Sequence, residues 1–379
     1  MLPPWQRQSS GAWGVSERES EILFARNGRL GLVCLNRPRA LNALTESMCL
    51  ALHRALVDWR ADPDISAVLI EGAGEKAFCA GGDVVKVARA AQAGEDGWRG
   101  FFIEEYRMNA AIARFPKPYI AFLDGVTMGG GVGISVHGDF RIATERTLFA
   151  MPETALGLIP DVGGSYFLPR LPGATGCYLG LTGYRARAAD CLLLGIATHF
   201  IPSDRLGEAK AALAGSDGNA LDHQGVASVL QSFTGDPGEA PLAARRAQID
   251  LHFGQPTLDD ILASLAADKD AWAQETLAAL MAMSPASLAL SFETMRRGAG
   301  LGLEDCLRME FRVVSRIVRE DHDFHEGVRA ILIDKDRNPK WSPARLAEID
   351  AGFIAHHFES LGEDELVLGP GMAMEGSGS

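Results

Sequence analysis

Four closely spaced glycines, Gly129, Gly130, Gly131 and Gly133, constrain the fold of this chain more than any other feature. They follow a short apolar run, residues 119–123. Consecutive glycines cost backbone entropy and weaken an ordinary helix start, so they are expected where something must approach the backbone closely. The first N–H groups of a helix lack partners inside it and attract negative charge. The stretch therefore predicts either a tight strand-to-helix turn or a set of backbone donors for a developing negative charge, an oxyanion hole.

Two carboxylates follow this turn. The apolar run 140–143 leads to Met151-Pro152-Glu153, and Asp161 lies a short way beyond. Neighbouring, partly desolvated carboxylates raise one another's pKa, which suits acid–base chemistry. Most of the 49 acidic residues of the chain are expected to be solvated surface groups. The position of Glu153 between apolar runs, rather than its residue type, therefore favours a catalytic role.

Common glycine and serine motifs are excluded. Ile134 stands where the last glycine of a dinucleotide-binding G-x-G-x-x-G would be, and no Lys-Ser or Lys-Thr follows to complete a phosphate loop. Neither Ser135 nor Ser165 lies in a G-x-S-x-G nucleophile elbow.

Composition excludes further classes of function. The 379 residues allow one large domain or two modest ones, and 47% hydrophobic with 22% charged residues is ordinary for a soluble globular protein. A net charge of −13 argues against a broad nucleic-acid surface, which needs clustered Lys and Arg. No apolar run reaches the length of about 18 residues that a membrane span needs.

The cysteines and the N-terminal residues bear on location. Six cysteines without any C-x-x-C pair predict buried free thiols in a reducing compartment. The N-terminal residues have no signal-peptide core, and their glutamates fit a transit peptide poorly. These features predict a cytoplasmic protein.

The pattern along the chain predicts four segments. Residues 1–20 form a flexible polar lead-in, and 21–200 alternate short apolar strands with helices in ββα units. Residues 201–360 are mainly helical, and 361–379, rich in Gly, Ser and Met, are predicted to be disordered. Within the second segment, Lys76-Ala-Phe-Cys-Ala-Gly-Gly-Asp83 forms another glycine turn before a helix.

Three motifs, at residues 76–83, Met128-Gly-Gly-Gly131 and Met151-Pro-Glu153, resemble those of the crotonase superfamily, the enoyl-CoA hydratase/isomerase group. Longer phrases are typical of its branch that hydrolyses 3-hydroxyisobutyryl-CoA, namely MGGGVGISVHGDFRIATE, FAMPETALGLIPDVGGSYFLPRLPG, LTGYRARAADCLLLGIATHFI and DFHEGVRAILIDKDRNPKW. The resemblance covers about residues 21–350. It implies an α/β fold, a crotonase-like spiral of ββα units with a helical C-terminal region, and an acyl-CoA ligand.

The resemblance also implies a site. The backbone N–H groups of Gly82 and Gly130 would form the oxyanion hole, and Glu153 matches one of two glutamates that hydratases use. Gly133 stands where the other would be, and hydration needs both an acid and a base. Asp161 stands where the hydrolase members have an aspartate. The resemblance therefore implies thioester hydrolysis, as in valine breakdown, rather than hydration.

The roles of the carboxylates are left open by the sequence. Glu153 would either attack the thioester carbonyl and form a mixed anhydride or act as general base on water. Asp161 would either bind the substrate's 3-hydroxyl or position the water. Glu105 matches a pocket glutamate of the family that contributes to substrate binding, but it also fits a helix-surface residue paired with Arg107 or Lys117.

Other candidates carry weaker signals. Arg37, Arg39 or Lys76 would meet CoA phosphates, or they are solvated cations. His137 is predicted to be a core histidine. No metal site is expected, at the spaced pair His322 and His325 or elsewhere, and no cofactor is expected because CoA is part of the substrate. A homo-oligomer is possible. The competing functions are an enoyl-CoA hydratase or isomerase and a non-catalytic CoA-binding protein.

Overall fold

The computed structural model describes residues 20–216, 221–320 and 322–369. Strands in these residues form one six-stranded and one three-stranded sheet. They are β1 (Ile22–Asn27), β2 (Leu30–Leu35), β3 (Ala67–Gly72), β4 (Ala77–Cys79), β5 (Tyr119–Leu123), β6 (Val126–Met128), β7 (Phe140–Ala143), β8 (Leu148–Ala150) and β9 (His199–Phe200).

Helices occupy much of the remaining chain, and most follow residue 200. They are α1 (Glu46–Ala61), α2 (Val84–Gln92), α3 (Gly97–Ala113), α4 (Gly130–Gly133), α5 (Gly164–Phe167), α6 (Thr175–Thr182), α7 (Ala188–Leu193), α8 (Leu206–Ala214), α9 (His223–Gln231), α10 (Pro241–Phe253), α11 (Leu258–Ala267), α12 (Ala271–Met281), α13 (Pro285–Gly298), α14 (Leu303–Glu320), α15 (His322–Val328) and α16 (Ala351–Phe358). Short 3₁₀ turns lie at Pro38–Ala40, Glu153–Leu156, Leu168–Arg170, Ser203–Arg205, Leu346–Glu348 and Gly362–Asp364, and Arg329–Ile333 is a π-helix. No single helix among the described residues is long and apolar enough to cross a membrane; α12 and α13 pass such a test only as a pair bent by 108°.

The large sheet has the order β1-β2-β3-β5-β7-β9. Its first two strands are antiparallel, joined at Asn27-Gly28, and the other neighbours are parallel. The strand β5 is buried along its whole length. Continuous apolar sequence is expected of a parallel strand covered on both faces.

The small sheet, with the parallel order β4-β6-β8, positions the site. Each of its strands follows one strand of the large sheet, in the pairs β3-β4, β5-β6 and β7-β8. The chain thus passes repeatedly through both sheets, which confirms the predicted spiral of ββα units. Because carboxyl ends of parallel strands meet at one edge, the loops after β4, β6 and β8 lie together, where α/β folds commonly bind ligands.

Side chains that accept hydrogen bonds from backbone N–H groups set the starts of several helices. The Thr45 hydroxyl accepts a hydrogen bond from the Met48 N–H at the start of α1, and Ser284 caps α13 in the same way. Asp83 accepts from the Lys86 N–H at the start of α2. Such caps satisfy N–H groups that the helix itself leaves without partners.

The tail departs from the prediction. Leu366 and Leu368 are buried, and the Arg107 side chain donates to the Val367 carbonyl at 3.0 Å. The prediction of disorder is therefore wrong for residues 361–369, whose apolar side chains pack on the body of the protein. Residues 370–379 and the lead-in 1–19 lie outside the described residues, and the segment boundaries at 200 and 360 stay a prediction.

Candidate active site

The two glycine turns place backbone donors side by side. One turn follows β4 and the other follows β6. An ideal Cβ built on Gly130 would lie 3.3 Å from the Gly82 nitrogen. Neither of these two N–H groups donates a hydrogen bond to another group in the described part of the chain. Gly129, between β6 and Gly130, has φ +48°, a left-handed conformation that few side chains adopt. Gly82 and Gly130 therefore lie close together, and both N–H groups are left without an acceptor among the described residues.

Glu153 lies directly beside these donors. It begins the 3₁₀ turn after β8, is only 5% exposed, and its Oε1 would lie 3.0 Å from a Cβ on Gly129. Its Oε2 has no hydrogen-bond partner among the described residues. Burial raises the pKa of Glu153 well above its usual range, and the negative charge of Asp161 raises it further. A carboxyl group of this kind is suited to accept a proton near neutral pH.

Glu105 joins the same cluster from α3. It is 2% exposed, and a Cβ on Gly130 would collide with its Oε1. That oxygen has no hydrogen-bond partner within the described residues. Burial raises the pKa of Glu105, and the charges of Asp161 and Glu153 add to the increase. Three carboxyl groups are therefore close enough to affect one another's protonation.

The surface-pair alternative for Glu105 is wrong. Arg107 pairs instead with Glu104, at 2.8 Å, and Lys117 donates to backbone carbonyls, including that of Asp62 at 2.7 Å. Helical geometry explains the difference, because neighbouring positions 104 and 105 point in different directions from α3.

Asp161 is held by a residue that sequence reasoning missed. The buried Tyr106, next to Glu105 on α3, donates its hydroxyl to Asp161 Oδ2 at 2.7 Å. Burial raises the pKa of Asp161 to about 6, while this hydrogen bond acts in the opposite direction. The only sequence signal for Tyr106 was its place beside Glu105 in an apolar helix.

The backbone after Asp161 is fixed in an unusual conformation. Val162 has φ +51°, which is rare for a β-branched residue and persists only where surrounding contacts enforce it. The half-buried His137 donates from Nε2 to the Val162 carbonyl at 2.8 Å, and burial lowers the pKa of His137 to about 4, so it is a neutral, hydrogen-bonded histidine rather than a base. Glu310 on α14 accepts from the Gly163 and Ser165 N–H groups, each at 2.8 Å. These contacts set the direction of the Asp161 side chain.

Gly133 leaves no room for a second catalytic carboxylate. An ideal Cβ at this position would lie 2.7 Å from Val162 Cβ and 2.8 Å from Asn109 Nδ2. Real Cβ atoms almost never approach so closely. The loop that carries Asp161 thus occupies the space that a longer side chain at position 133 would need.

The three basic residues predicted as candidates for binding CoA phosphates have different surroundings. Arg37 forms ion pairs with Glu21 at 3.0 Å and Asp83 at 3.1 Å, so it ties the first glycine turn to the chain before β1. Arg39 and Lys76 are exposed. A phosphate-binding role stays a prediction for those two.

The cysteines and His325 have surroundings unlike those of the carboxylate cluster. All six cysteines are free thiols, and burial raises the pKa of Cys79 to about 12, which makes it unreactive. Among the described residues no group of three or more metal-ligating side chains occurs. His325 donates instead to the Val318 carbonyl at 3.0 Å.

The Tyr106–Asp161 hydrogen bond predicts a specific pH effect. The ionised form of Asp161 is the better acceptor, so Tyr106→Phe is expected to raise the Asp161 pKa further above about 6. If the carboxylates act in their ionised form, kcat/KM for the thioester hydrolysis that the sequence implies rises with pH as they lose their protons. In Tyr106→Phe this rise should occur at higher pH.

The measurement is kcat/KM from about pH 5 to about pH 9. Tyr119→Phe is the matched control, because it removes another buried tyrosine hydroxyl, one that donates to the Ile134 carbonyl at 3.0 Å. The pH effect would be contradicted if kcat/KM of Tyr106→Phe rises over the same pH range as in the parent, or if the control shows the same shift as Tyr106→Phe.

Comparisons with known proteins find relatives over nearly the whole chain. The family model described as enoyl-CoA hydratase/isomerase matches residues 30–358. The chain is 43% identical over 358 residues to the Gallus gallus protein named 3-hydroxyisobutyryl-CoA hydrolase, mitochondrial, covering 93% of this chain and 92% of that one. The Homo sapiens protein of the same name is 42% identical over 356 residues, with coverage of 93% and 92%.

Two solved structures are also similar to this chain over nearly its whole length. A structure titled carnitinyl-CoA dehydratase from Mycobacterium thermoresistibile has a TM-score of 0.86 at 40% identity, covering 92% of this chain and 99% of that one. A structure titled enoyl-CoA hydratase from Rhodobacter sphaeroides has a TM-score of 0.84 at 38% identity, with coverage of 92% and 100%. The predicted fold is thereby confirmed.

One prediction is contradicted by these findings. Both relatives described above are named as mitochondrial proteins, so the expectation of a cytoplasmic protein is wrong. Residues 1–19, which supplied part of the basis for that expectation, lie outside the described residues.

Proposed function

This chain belongs to the enoyl-CoA hydratase/isomerase family, and we propose that it hydrolyses the thioester of 3-hydroxyisobutyryl-CoA, a reaction of valine catabolism. Water adds to the acyl carbon and the carbon–sulfur bond breaks. The products are 3-hydroxyisobutyrate and the free thiol of CoA. The relatives that carry this name support the proposal, since they match nearly the whole chain.

The thioester carbonyl would lie at the paired glycine turns. The N–H groups of Gly82 and Gly130 would donate to its oxygen as negative charge develops there during attack. Each such donor typically lowers the barrier by about 2.7–4 kcal/mol. A side chain at either position would collide with its neighbours, because the ring of Phe101 packs on Gly82 and Glu105 packs on Gly130.

Glu153 is the group that we place at the carbonyl carbon, with Asp161 as its helper. In one route Glu153 attacks the carbon, CoA leaves as thiolate and takes a proton, and water then opens the mixed anhydride. In the other route Glu153 takes a proton from a water molecule that attacks directly, and returns it to the departing sulfur. Glu105 would line the acyl pocket beside both groups.

The observation that carries the proposal is the crowded backbone at Gly133. Hydratases of this family would need a second glutamate there, and the space is occupied by Val162 and Asn109. The titles of the two similar structures favour hydration or dehydration as the second candidate function. With no carboxylate at position 133, the site lacks the pair of glutamates that hydratases of this family use as acid and base.

Installing that glutamate should not create a hydratase. Gly133→Glu is expected to lower the free energy of unfolding by about 1–3 kcal/mol or more, because the new side chain must displace Val162 or Asn109. Thioester hydrolysis should fall as the Asp161 loop moves. Thermal unfolding and thiol release measure the two effects.

Gly207→Glu is the matched control, because nothing lies within 4 Å of a Cβ at that position of α8. It should leave both stability and turnover near parental values. Faster thiol release or new hydration activity in Gly133→Glu would contradict our placement of this residue.

A thiol-release assay over a panel of acyl-CoA thioesters tests the proposed function. We expect the highest kcat/KM with 3-hydroxyisobutyryl-CoA, and lower values with 3-hydroxypropionyl-CoA and isobutyryl-CoA. Absence of CoA release from every thioester would instead favour a non-catalytic CoA-binding protein. The proposed reaction needs no cofactor, because CoA is part of the substrate and product, and a homo-oligomer stays a prediction.

A further inference from the structure

Asn109 is a buried amide that the mechanism above leaves without a role. It lies on α3 one turn after Glu105, and it is 0% exposed. Neither its Nδ2 nor its Oδ1 has a hydrogen-bond partner among the described residues. Burying an amide without partners is unfavourable, and natural interiors contain few such groups.

Another buried asparagine shows the usual arrangement. Asn42 is also 0% exposed, yet its Oδ1 accepts from the Arg37 N–H at 3.0 Å. Its Nδ2 donates to the carbonyls of Ala73 at 3.0 Å and Ala77 at 2.9 Å. The fold therefore satisfies a buried amide fully where that amide has a structural role, and Asn109 departs from this arrangement.

The position of Asn109 places it in the active site. Its Nδ2 would lie 2.8 Å from a Cβ on Gly133, the position that follows the oxyanion-hole turn. Val162, the residue after Asp161, would also contact a Cβ on Gly133. Glu105, on the same face of α3, reaches Gly130. The amide thus lies between the oxyanion-hole turn and the loop that carries Asp161.

The chemistry of an amide restricts its ligand. Nδ2 donates and Oδ1 accepts, so the group that satisfies both must itself accept and donate. A thioester carbonyl accepts only, and it already has the N–H groups of Gly82 and Gly130. A hydroxyl group meets the requirement, and it comes either from the acyl chain or from the attacking water.

We propose that Asn109 binds the 3-hydroxyl group of the acyl chain and makes the enzyme selective for 3-hydroxyacyl-CoA; this inference rests on the proposed function. Nδ2 donates to the hydroxyl oxygen, and Oδ1 accepts its hydrogen. Asp161, already oriented by Tyr106, is then available to the attacking water. An acyl group without the hydroxyl leaves the buried amide unpaired, and sites of this kind discriminate strongly against such analogues.

The test compares two substrates in Asn109→Leu, which keeps the size of the side chain and removes its polar atoms. We expect the ratio of kcat/KM for 3-hydroxyisobutyryl-CoA to that for isobutyryl-CoA to fall at least about tenfold, because only the hydroxylated substrate loses hydrogen bonds. Ser291→Ala is the control, since it removes a different buried polar group, on α13, that also has no hydrogen-bond partner among the described residues, and it should leave the ratio unchanged.

Equal loss on both substrates would overturn the proposal and assign the amide to the attacking water, while the proposed hydrolysis would stand. If the parent releases CoA from neither substrate, the proposed function fails, and the assignment of a 3-hydroxyl ligand fails with it. A second variant, Asn109→Ala, gives the same comparison if the leucine does not fold.

Thermal unfolding of the ligand-free protein supplies an independent readout. Removing an unpaired buried amide should raise the Tm of Asn109→Leu, because a polar group without partners is replaced by an apolar one of similar shape. A lower Tm together with an unchanged substrate ratio would show that Asn109 is a structural residue, and would overturn the inference.

Discussion

Replacing Glu153 by glutamine is expected to lower kcat for thioester hydrolysis by about 10³-fold, within the range of about 10²–10⁴-fold for a lost acid–base group. Glutamine keeps the volume of the side chain but neither attacks the carbonyl nor accepts a proton. The Kd for CoA should stay near the parental value. Because burial and Asp161 disfavour the charged form of Glu153, the variant should unfold at a higher temperature than the parent at neutral pH.

Glu75→Gln is the matched control for this variant, since Glu75 is exposed. It makes the same chemical change and should alter neither kcat nor Tm. Turnover of Glu153→Gln within a few-fold of the parent would remove Glu153 from the mechanism. A fall in both turnover and Tm would instead show that the carboxylate supports the fold.

Adding a methyl group to Gly130 should produce the second large effect. In Gly130→Ala the new Cβ would lie 3.0 Å from Leu44 Cδ1 and 3.3 Å from the Gly82 nitrogen, and it would meet Glu105. It therefore enters the space between the two donors. Losing one oxyanion-hole contact typically costs about 10²–10³-fold in kcat, and we expect a loss of that size. Steady-state thiol release measures it.

Gly207→Ala controls for the loss of a helical glycine, because a Cβ there has open space around it. It should leave kcat unchanged and is expected to raise stability slightly, since alanine favours helix formation. Parental kcat in Gly130→Ala would mean that the thioester carbonyl does not enter this space.

Much of the framework was predictable because its signals are local. The short apolar runs 119–123 and 140–143 are the strands β5 and β7 with the same bounds. The glycine turns and Glu153 stand directly after strands of the small sheet. Residues at the ends of neighbouring parallel strands are brought together by the topology of the sheet. Recognising the ββα units in the sequence is therefore enough to predict that these residues lie close together.

The supporting residues were not predictable because they depend on packing between distant segments. Glu310 accepts from Gly163 across 147 positions, and nothing in the sequence around α14 indicates that pairing. Tyr106 and Asn109 lie in an apolar helix whose orientation decides which side chains face the site. The packing of residues 361–369 likewise depends on α3, which is remote in sequence.

The most direct test of the central claim gives the protein two substrates side by side, 3-hydroxyisobutyryl-CoA and the α,β-unsaturated thioester that its dehydration would form. Free thiol and acyl products are followed together by thiol titration and mass spectrometry. We predict one free CoA thiol for each 3-hydroxyisobutyrate formed, and no hydration of the unsaturated thioester. Interconversion of the two thioesters without release of CoA would contradict the account.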